Sequence, residues 1–257
     1  MSFNIRYNTP SDSLNAWPYR KDHVADVIGR KYQVDIAGLQ EALKGQIDDL
    51  QERLPEYAWF GVGRDDGAEA GEFTPIFYRK DRLELLEGDT FWLSETPDVP
   101  GSKSWDAAIT RIVTWGRFKE IETGREFYFF NTHFDHRGEA SRVESARILA
   151  ARIAELPDGV PFIITGDFNT REASEPYTIL TSAPTIHDAR YVSESGHEGP
   201  TASTTNWVEL RNTPESRIDY IFAREGVRVL THRIVDDRYD GRFPSDHTPV
   251  LASVVLP

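Results

Sequence analysis

Residues 125–169 read REFYFFNTHFDHRGEASRVESARILAARIAELPDGVPFIITGDFN, and this stretch decides the fold. It holds two apolar runs, Phe127-Tyr128-Phe129-Phe130 and residues 160–164, rich in the aromatic and β-branched residues that suit a pleated surface. Each run leads into a polar cluster: Asn131-Thr132-His133 after the first, Gly166-Asp167-Phe168-Asn169 after the second. Between them Val143, Ala146, Leu149, Ala150 and Ile153 recur at i, i+3, i+4 spacing and predict a helix over 139–156, ended by Pro157-Asp158-Gly159. Polar residues at strand ends are where an α/β protein sets its chemistry, because the sheet holds the loops in place.

The same association of polar cluster and apolar run occurs twice more. Ile221-Phe222 follows Arg217-Ile218-Asp219-Tyr220, and residues 250–256 follow Ser245-Asp246-His247. Upstream, strands are predicted over 3–7 and 34–39. Pro18 suits a first helical turn, with Val24, Val27 and Ile28 on one face, and a second helix covers 43–54. Residues 57–62, 74–78, 83–93, 109–120 and 125–132 read as successive strands, with Glu122-Thr123-Gly124 as a hairpin turn, and predict an antiparallel sheet edge. Beyond residue 170 the pattern weakens to a short helix near 174–180, a polar loop over 193–206, and strands near 218–223, 227–235 and 249–256. There is no repeat, low-complexity tract or linker. The expectation is a single domain over 1–257, an α/β sandwich of mixed strands with helices outside.

Composition narrows the function classes. The 257 residues, 39% hydrophobic, suffice for a sizeable core. No apolar run approaches the ~20 residues of a membrane span. The start lacks a secretory pattern, although it already lies inside the first predicted strand. A cytoplasmic location is expected, or an exported one if a leader has been removed. The absence of cysteine excludes disulfides, thiolate nucleophiles and Cys-based zinc sites. A net charge of −13 argues against a dedicated nucleic-acid binder, which relies on counterion release. It does not exclude a nuclease, since bound metal ions and a local basic patch offset global charge.

Several residues are candidates for chemistry, each with a plain structural alternative. Asp167 and Asn169, two apart in an extended segment, point to one side and offer a carboxylate and an amide to one ligand; alternatively they form an Asx turn. His247, beside Asp246, suits acid/base work or a phosphate oxygen, or a structural hydrogen bond. Asp219, between Ile218 and Tyr220, needs a partner because an unpaired buried charge is costly. His247 is the expected one, its imidazole tautomer fixed by the carboxylate. Asn131, His133 and Asp135 alternate along one strand and are expected to share a face, otherwise a solvated one. Glu41 emerges at a strand end, where it could hold a cation or favour a helix start; Asn4 carries the same ambiguity. Arg111 faces a phosphate or pairs with a surface acid. Trp17, Trp92, Trp105, Trp207 and Phe243 fall near loops, where they stack on a ligand or, more often, pack the loops.

In combination, Asn4, Gln40-Glu41, Asn131-Thr132-His133, Gly166-Asp167-Phe168-Asn169, Asp219 and Ser245-Asp246-His247 resemble the endonuclease/exonuclease/phosphatase superfamily, the DNase I-like fold, over residues 3–256. Phe91-Trp92-Leu93-Ser94-Glu95-Thr96-Pro97 and the Asn-Thr-His motif resemble a bacterial branch related to the deadenylase and nocturnin group. The resemblance implies a four-layer α/β sandwich of two packed mixed sheets. It also implies Mg²⁺- or Mn²⁺-dependent cleavage of a phosphoester, by phosphodiesterase, phosphatase or nuclease action, through in-line attack of water. Glu41 would be the main metal ligand with Asn4 close by, and Asp246 would support the metal or the histidine. Asp167 would activate or orient the water, and Asn169 would help hold metal or phosphate. His247, oriented by Asp219, would stabilise charge on the phosphoryl oxygens, and His133 would contact the phosphate or assist the leaving group. Arg111 and Asn131 are the expected substrate contacts. One metal or two remain open; a pair would sit about 3.5–4 Å apart.

The expected partner is a phosphate-containing substrate, either a small phosphoester or a single-stranded nucleic-acid end, and the chain is expected to act as a monomer. With no Lys-rich loop or long basic helix, duplex DNA is disfavoured. Two other readings compete: a glycosidase using paired carboxylates, which leaves Asn169, Asp219 and His247 without roles, and a non-catalytic binding domain on this fold.

Overall fold

The continuous apolar runs of the sequence become strands buried on both faces. In the computed structural model, which describes residues 1–211, 213 and 216–257, these strands form two sheets. Numbered along the chain, the first sheet contains β1 (Ser2–Asn4), β2 (Ile36–Gln40), β3 (Tyr57–Phe60), β4 (Ile76–Arg79), β10 (His197–Glu198), β12 (Arg228–Ile234) and β13 (Val250–Val255), in the order β10-β12-β13-β1-β2-β4-β3. The second contains β5 (Leu83–Trp92), β6 (Ile112–Glu120), β7 (Glu126–His133), β8 (Phe162–Asp167), β9 (Ile186–Asp188) and β11 (Asp219–Arg224), in the order β5-β6-β7-β8-β11-β9. β1–β2, β7–β8 and β10–β12 pair parallel and the other neighbours antiparallel, so both sheets are mixed.

Three apolar clusters correspond to the three interfaces of four layers. Helices α1 (Lys21–Ala25), which runs on into a π-helical segment over Asp26–Lys31, and α2 (Lys44–Arg53) bury Val24, Val27, Ile28, Ile47 and Leu50 against Phe3, Leu39 and Phe77 of the first sheet. Helices α3 (Glu139–Ala154) and α4 (Glu175–Ser182) bury Ala146, Leu149, Ile153 and Leu180 against Phe130, Phe162, Ile164 and Phe222 of the second. Between the sheets lie Phe118, Phe127, Phe129, Ile163, Ile221, Val229 and Val250. The alternation of β7 divides its aromatics: Phe127 and Phe129 face the other sheet, Tyr128 and Phe130 face the helices. Each such fully buried side chain contributes ~1.5–3 kcal/mol.

Near the site the sheets approach too closely for a side chain on β2. A Cβ at Gly38 would collide with Thr165 Oγ1 and Asn131 Oδ1.

Three expectations change. The run of strands from 57 to 132 is not one antiparallel edge: β3 and β4 close the first sheet, while β5, β6 and β7 open the second. β1 ends at Asn4 rather than continuing to residue 7, because Asn4 Oδ1 accepts from Arg6 N (2.9 Å) and Arg6 turns to φ 56°. The polar region beyond residue 170 holds β9, α5 (Ala189–Val192) and β10, segments too short to show a period. Among the described residues, no helix is long and apolar enough to cross a membrane.

Candidate active site

Strand register assembles the polar clusters. Asn4 pairs with Gln40 across β1 and β2, so Glu41 leaves the sheet beside Asn4. His133 pairs with Asp167 across β7 and β8, and Asp219 with Asp167 across β8 and β11. β13 runs antiparallel to β1, which brings the Ser245-Asp246-His247 loop to the same end. Ser245 Oγ fastens it there by donating to the Asn4 carbonyl (2.8 Å).

Asp167 is the centre. Its Oδ2 accepts from Asn4 Nδ2 (3.0 Å) and lies 3.4 Å from His133 Nε2 and 3.8 Å from His247 Nε2, while Oδ1 accepts from Asn169 N (2.9 Å). Burial, and then the neighbouring Asp219, push its carboxyl up to about 7. Asn4 Nδ2 also donates to Glu41 Oε1 (3.0 Å), and Glu41 Oε2 accepts from Tyr7 N (3.1 Å). Glu41 and Asn169 hold left-handed backbones at φ 58° and 47°. For glutamate this costs ~1–2 kcal/mol, and such strain gathers at functional sites.

The two histidines differ in charge. His247 Nδ1 meets Asp219 Oδ2 at 2.9 Å. Burial opposes its protonation, yet Asp219 and Asp167 hold its pKa well above the ordinary value. His133 is buried, and that burial together with Arg111 and Arg64 pushes its pKa well below the ordinary value, so the ring is neutral. Glu41, His133, Asp167 and His247 border a cleft of about 340 Å³, also lined by Arg6, Tyr7, Glu72, Ile109, Arg111, Asn169 and His136.

Some expected site residues lie elsewhere. Asn131, expected to touch substrate, is fully buried between the sheets. Its Nδ2 donates to the Leu39 carbonyl (2.7 Å) and the Pro75 carbonyl (3.2 Å), and its Oδ1 accepts from Gln40 Nε2 (2.6 Å) and Thr165 Oγ1 (3.1 Å), so the amide ties one sheet to the other. Asp135 lies past the end of β7 and accepts from the backbone of Ala108, Ile109, Arg137 and Gly138. Asp246 stands off the Glu41–Asp167 pair, 3.8 Å from Arg6 Nε. None of Trp17, Trp92, Trp105, Trp207 or Phe243 lines the cleft. Trp17 Nε1 donates to Asp49 and Trp92 Nε1 to the Arg64 carbonyl, so these two fasten loops.

Other contributors carried no sequence signal. Ser203 Oγ donates to Asp219 Oδ2 (2.6 Å) and accepts from the amides of Ile218 and Asp219, yet in the sequence it is one hydroxyl in a Ser/Thr-rich loop. Arg6 grips Asp12 through two bonds (3.0 and 3.1 Å) and lies 3.8 Å from Glu41. Glu72 and His136 complete the far wall.

Ligand atoms of Glu41, Asp167 and His247 lie within 4.8 Å of one another, a grouping that could hold a metal ion. His247 is the least suited of the three, since Asp219 occupies Nδ1 and the ring is protonated. The two carboxylates supply oxygen donors that suit a hard divalent cation, Asn4 holding them in place by donating from Nδ2 to both, and the raised Asp167 carboxyl marks negative charge that a cation would offset.

A four-layer sandwich carrying this polar constellation defines a phosphoester hydrolase on the DNase I-like fold. The chain belongs to the Endonuclease/Exonuclease/phosphatase family, matched over residues 1–247. It is similar to an endonuclease/exonuclease/phosphatase from Bacteroides vulgatus (42% identity, TM-score 0.93, covering 100% of this chain and 97% of that one). It is similar also to a mannosyl-6-phosphatase from Bacteroides thetaiotaomicron (39% identity, TM-score 0.93, covering 99% and 98%). Nocturnin from Xenopus laevis is 26% identical over 271 residues, 94% of this chain and 65% of that protein's length.

Proposed function

We propose that the chain, as a single domain, is a divalent-metal-dependent hydrolase of small phosphoesters that uses in-line attack of water. The observation that carries this reading is the Asp219–His247–Asp167–Asn4–Glu41 chain of contacts, closed by 2.9 and 3.0 Å hydrogen bonds and by the 3.8 Å approach of His247 to Asp167 at the cleft floor. Phosphoryl transfer asks mainly for positioning and charge stabilisation, which these groups supply. Asp167, with a carboxyl near 7, is matched to take a proton from water at neutral pH. His247, kept charged and oriented by Asp219, donates to a phosphoryl oxygen. Neutral His133 donates from Nε2 to a second oxygen or to the departing one, and Asn169, whose Nδ2 is bonded to the Phe134 carbonyl (3.0 Å), keeps its amide oxygen to accept from the attacking water or to help hold the metal. A Mg²⁺ or Mn²⁺ ion held by Glu41, with Asn4 alongside, would supply Lewis-acid stabilisation of the developing charge. The similarity to a sugar phosphatase and the small cleft favour a compact ester over nucleic acid.

The test is hydrolysis of a mixed panel in Mn²⁺ or Mg²⁺, covering single-stranded and duplex nucleic acid, dinucleotides, sugar phosphates, inositol phosphates and phospholipids, with His247→Ala as control. A compact phosphoester is expected to turn over and to be lost in the variant. Turnover that survives His247→Ala, or turnover of aryl glycosides run alongside the panel with none of its phosphoesters cleaved, contradicts the reading.

A further inference from the structure

One buried cation close behind the site has no part in the proposed chemistry. Arg20 lies between a 3₁₀ turn, Trp17–Tyr19, and α1, with its side chain turned inward and the residue 3% exposed. Nε donates to the Asn15 carbonyl (2.8 Å), Nη1 to the carbonyls of Ile5 and Pro244 (3.2 Å to the second), and Nη2 to the Arg6 carbonyl (2.6 Å). The guanidinium also lies over the rings of Trp17 and Trp207, at 5.1 and 5.3 Å. Trp207 brings its ring there from a left-handed backbone, φ 76°, which is costly for so bulky a residue. Among the described residues no carboxylate forms an ion pair with Arg20. Burial lowers its pKa to about 10 against the pull of Asp246, Asp12 and Glu41, so it is charged at neutral pH. A buried cation is expensive. One answered only by main-chain carbonyls and aromatic faces supplies no charge pair in return; what it supplies is geometry, several N–H bonds fixed in one rigid plane.

The carbonyls it holds flank the two halves of the site. The pairing of β1 with β13 registers Ser2 against Val250 and goes no further toward the cleft. Beyond it, the two chains are joined by Ser245 Oγ on the Asn4 carbonyl (2.8 Å) and by Arg20 on Ile5, Arg6 and Pro244. On one side Asn4 immediately precedes Ile5; its Nδ2 donates to Glu41 and Asp167, and its Oδ1 accepts from Arg6 N (2.9 Å). On the other side His247 stands three residues after Pro244, with Nδ1 on Asp219. Arg20 does not line the cleft, so it touches no reacting atom and acts only through main-chain carbonyls.

We propose that Arg20 is a positioning residue for phosphoester hydrolysis: its guanidinium fixes the segment after Asn4 against the loop that carries His247, and so sets the Glu41–Asp167 carboxylates at their working distance from the imidazole. This rests on the phosphoester-hydrolase reading above. Holding a metal on Glu41 needs one side of this joint, whereas the chemical step needs both sides in register at once. A displacement of about 1 Å between groups that act together costs up to ~10²-fold in rate. Loss of the joint therefore lowers kcat and kcat/KM together, the mark of an interaction that counts in the transition state, and leaves metal affinity in place. A lysine keeps the charge but carries a single nitrogen, which cannot hold carbonyls of three segments in one plane.

The test is steady-state kinetics of the Mn²⁺-loaded protein, wild type and Arg20→Lys, on whichever phosphoester of the panel above the wild type turns over fastest. Calorimetric titration of Mn²⁺ gives the metal affinity and the number of binding-competent molecules, and kcat is counted per such molecule. In Arg20→Lys, kcat is expected to fall about 10- to 100-fold, with KM and the Mn²⁺ dissociation constant unchanged. A lowered unfolding midpoint with kcat per binding-competent molecule intact would make the residue merely structural and overturn the inference. A loss carried by KM or by Mn²⁺ affinity, with kcat retained, overturns it too. Should Arg20→Lys fail to fold, Ser245→Ala removes the neighbouring tie between the same two chains and decides by the same split: a fall in kcat alone supports the proposal, and an unchanged kcat overturns it. A wild type that turns over no ester of the panel overturns the underlying reading, and this inference with it.

Discussion

Arg217, two residues before β11, and Asp219, its first residue, are both buried, and their surroundings are opposite in kind. Arg217 Nη2 lies 2.7 Å from each oxygen of Asp188, Nη1 bonds Glu172, and the Tyr220 ring covers the guanidinium at 4.5 Å. Asp219 bonds Ser203 and His247 through Oδ2, leaves Oδ1 without a hydrogen-bond partner among the described residues, and adds to the burial that pushes the carboxyl of neighbouring Asp167 upward. The first cluster encloses a cation within two carboxylates away from the cleft. The second gathers carboxylates at the cleft with an excess of negative charge that a ligand or cation would relieve. Within three residues of chain, enclosed charge marks architecture and unbalanced charge marks chemistry.

The largest effect expected from breaking this contrast is in stability. Asp188→Asn leaves Arg217 short of a partner and should cost ~3–5 kcal/mol by chemical denaturation, with turnover per folded molecule retained. Lost turnover at unchanged stability would erase the distinction. Asp167→Asn should do the reverse, lowering kcat ~10²–10³-fold without lowering the unfolding midpoint, since it removes a poorly compensated buried charge. Gly38→Ala probes the sheet contact that supports both clusters. The added methyl must displace Thr165 and Asn131, and ~1–3 kcal/mol of stability should be lost.

The smallest effect concerns pH. His232, paired through Nδ1 with His197 Nδ1 at 2.9 Å, is held down to about 3 by burial, then by Arg217 and His197. Its folded pKa lies below its unfolded one, so the unfolded chain binds more protons between them. Stability is therefore full above pH ~6.5 and falls as pH falls, by at most about 2 kcal/mol down to pH 5 from this group. His232→Gln should flatten that limb in denaturant titrations. An unchanged slope would show that other groups carry it.

How much of this was legible in the sequence follows from physical signal strength. The apolar spacing of α3, the aromatic run of β7 and the polar clusters at strand ends all have periods or compositions that survive without coordinates. The Asp219–His247 pairing was legible because an acid flanked by Ile218 and Tyr220 requires a partner. Asn131 misled because an amide in an apolar strand reads alike whether the opposite sheet or a ligand satisfies it. Glu72 was invisible because it follows an acidic, glycine-containing loop and acts through the fold of residues 61–73. Arg6 and Ser203 gain their roles only from contacts far along the chain. Sheet assignment failed between residues 57 and 132 because successive antiparallel strands carry no mark of where one sheet ends and the next begins.

The most direct test of the central claim pairs calorimetric titration of Mn²⁺ with turnover of a small phosphate ester, in the wild type and in Glu41→Gln. The account predicts that Mn²⁺ binds the wild type, that turnover rises with its occupancy and ceases in EDTA, and that Glu41→Gln weakens both together. Equal turnover in EDTA, or full turnover by Glu41→Gln with Mn²⁺ binding abolished, would contradict it.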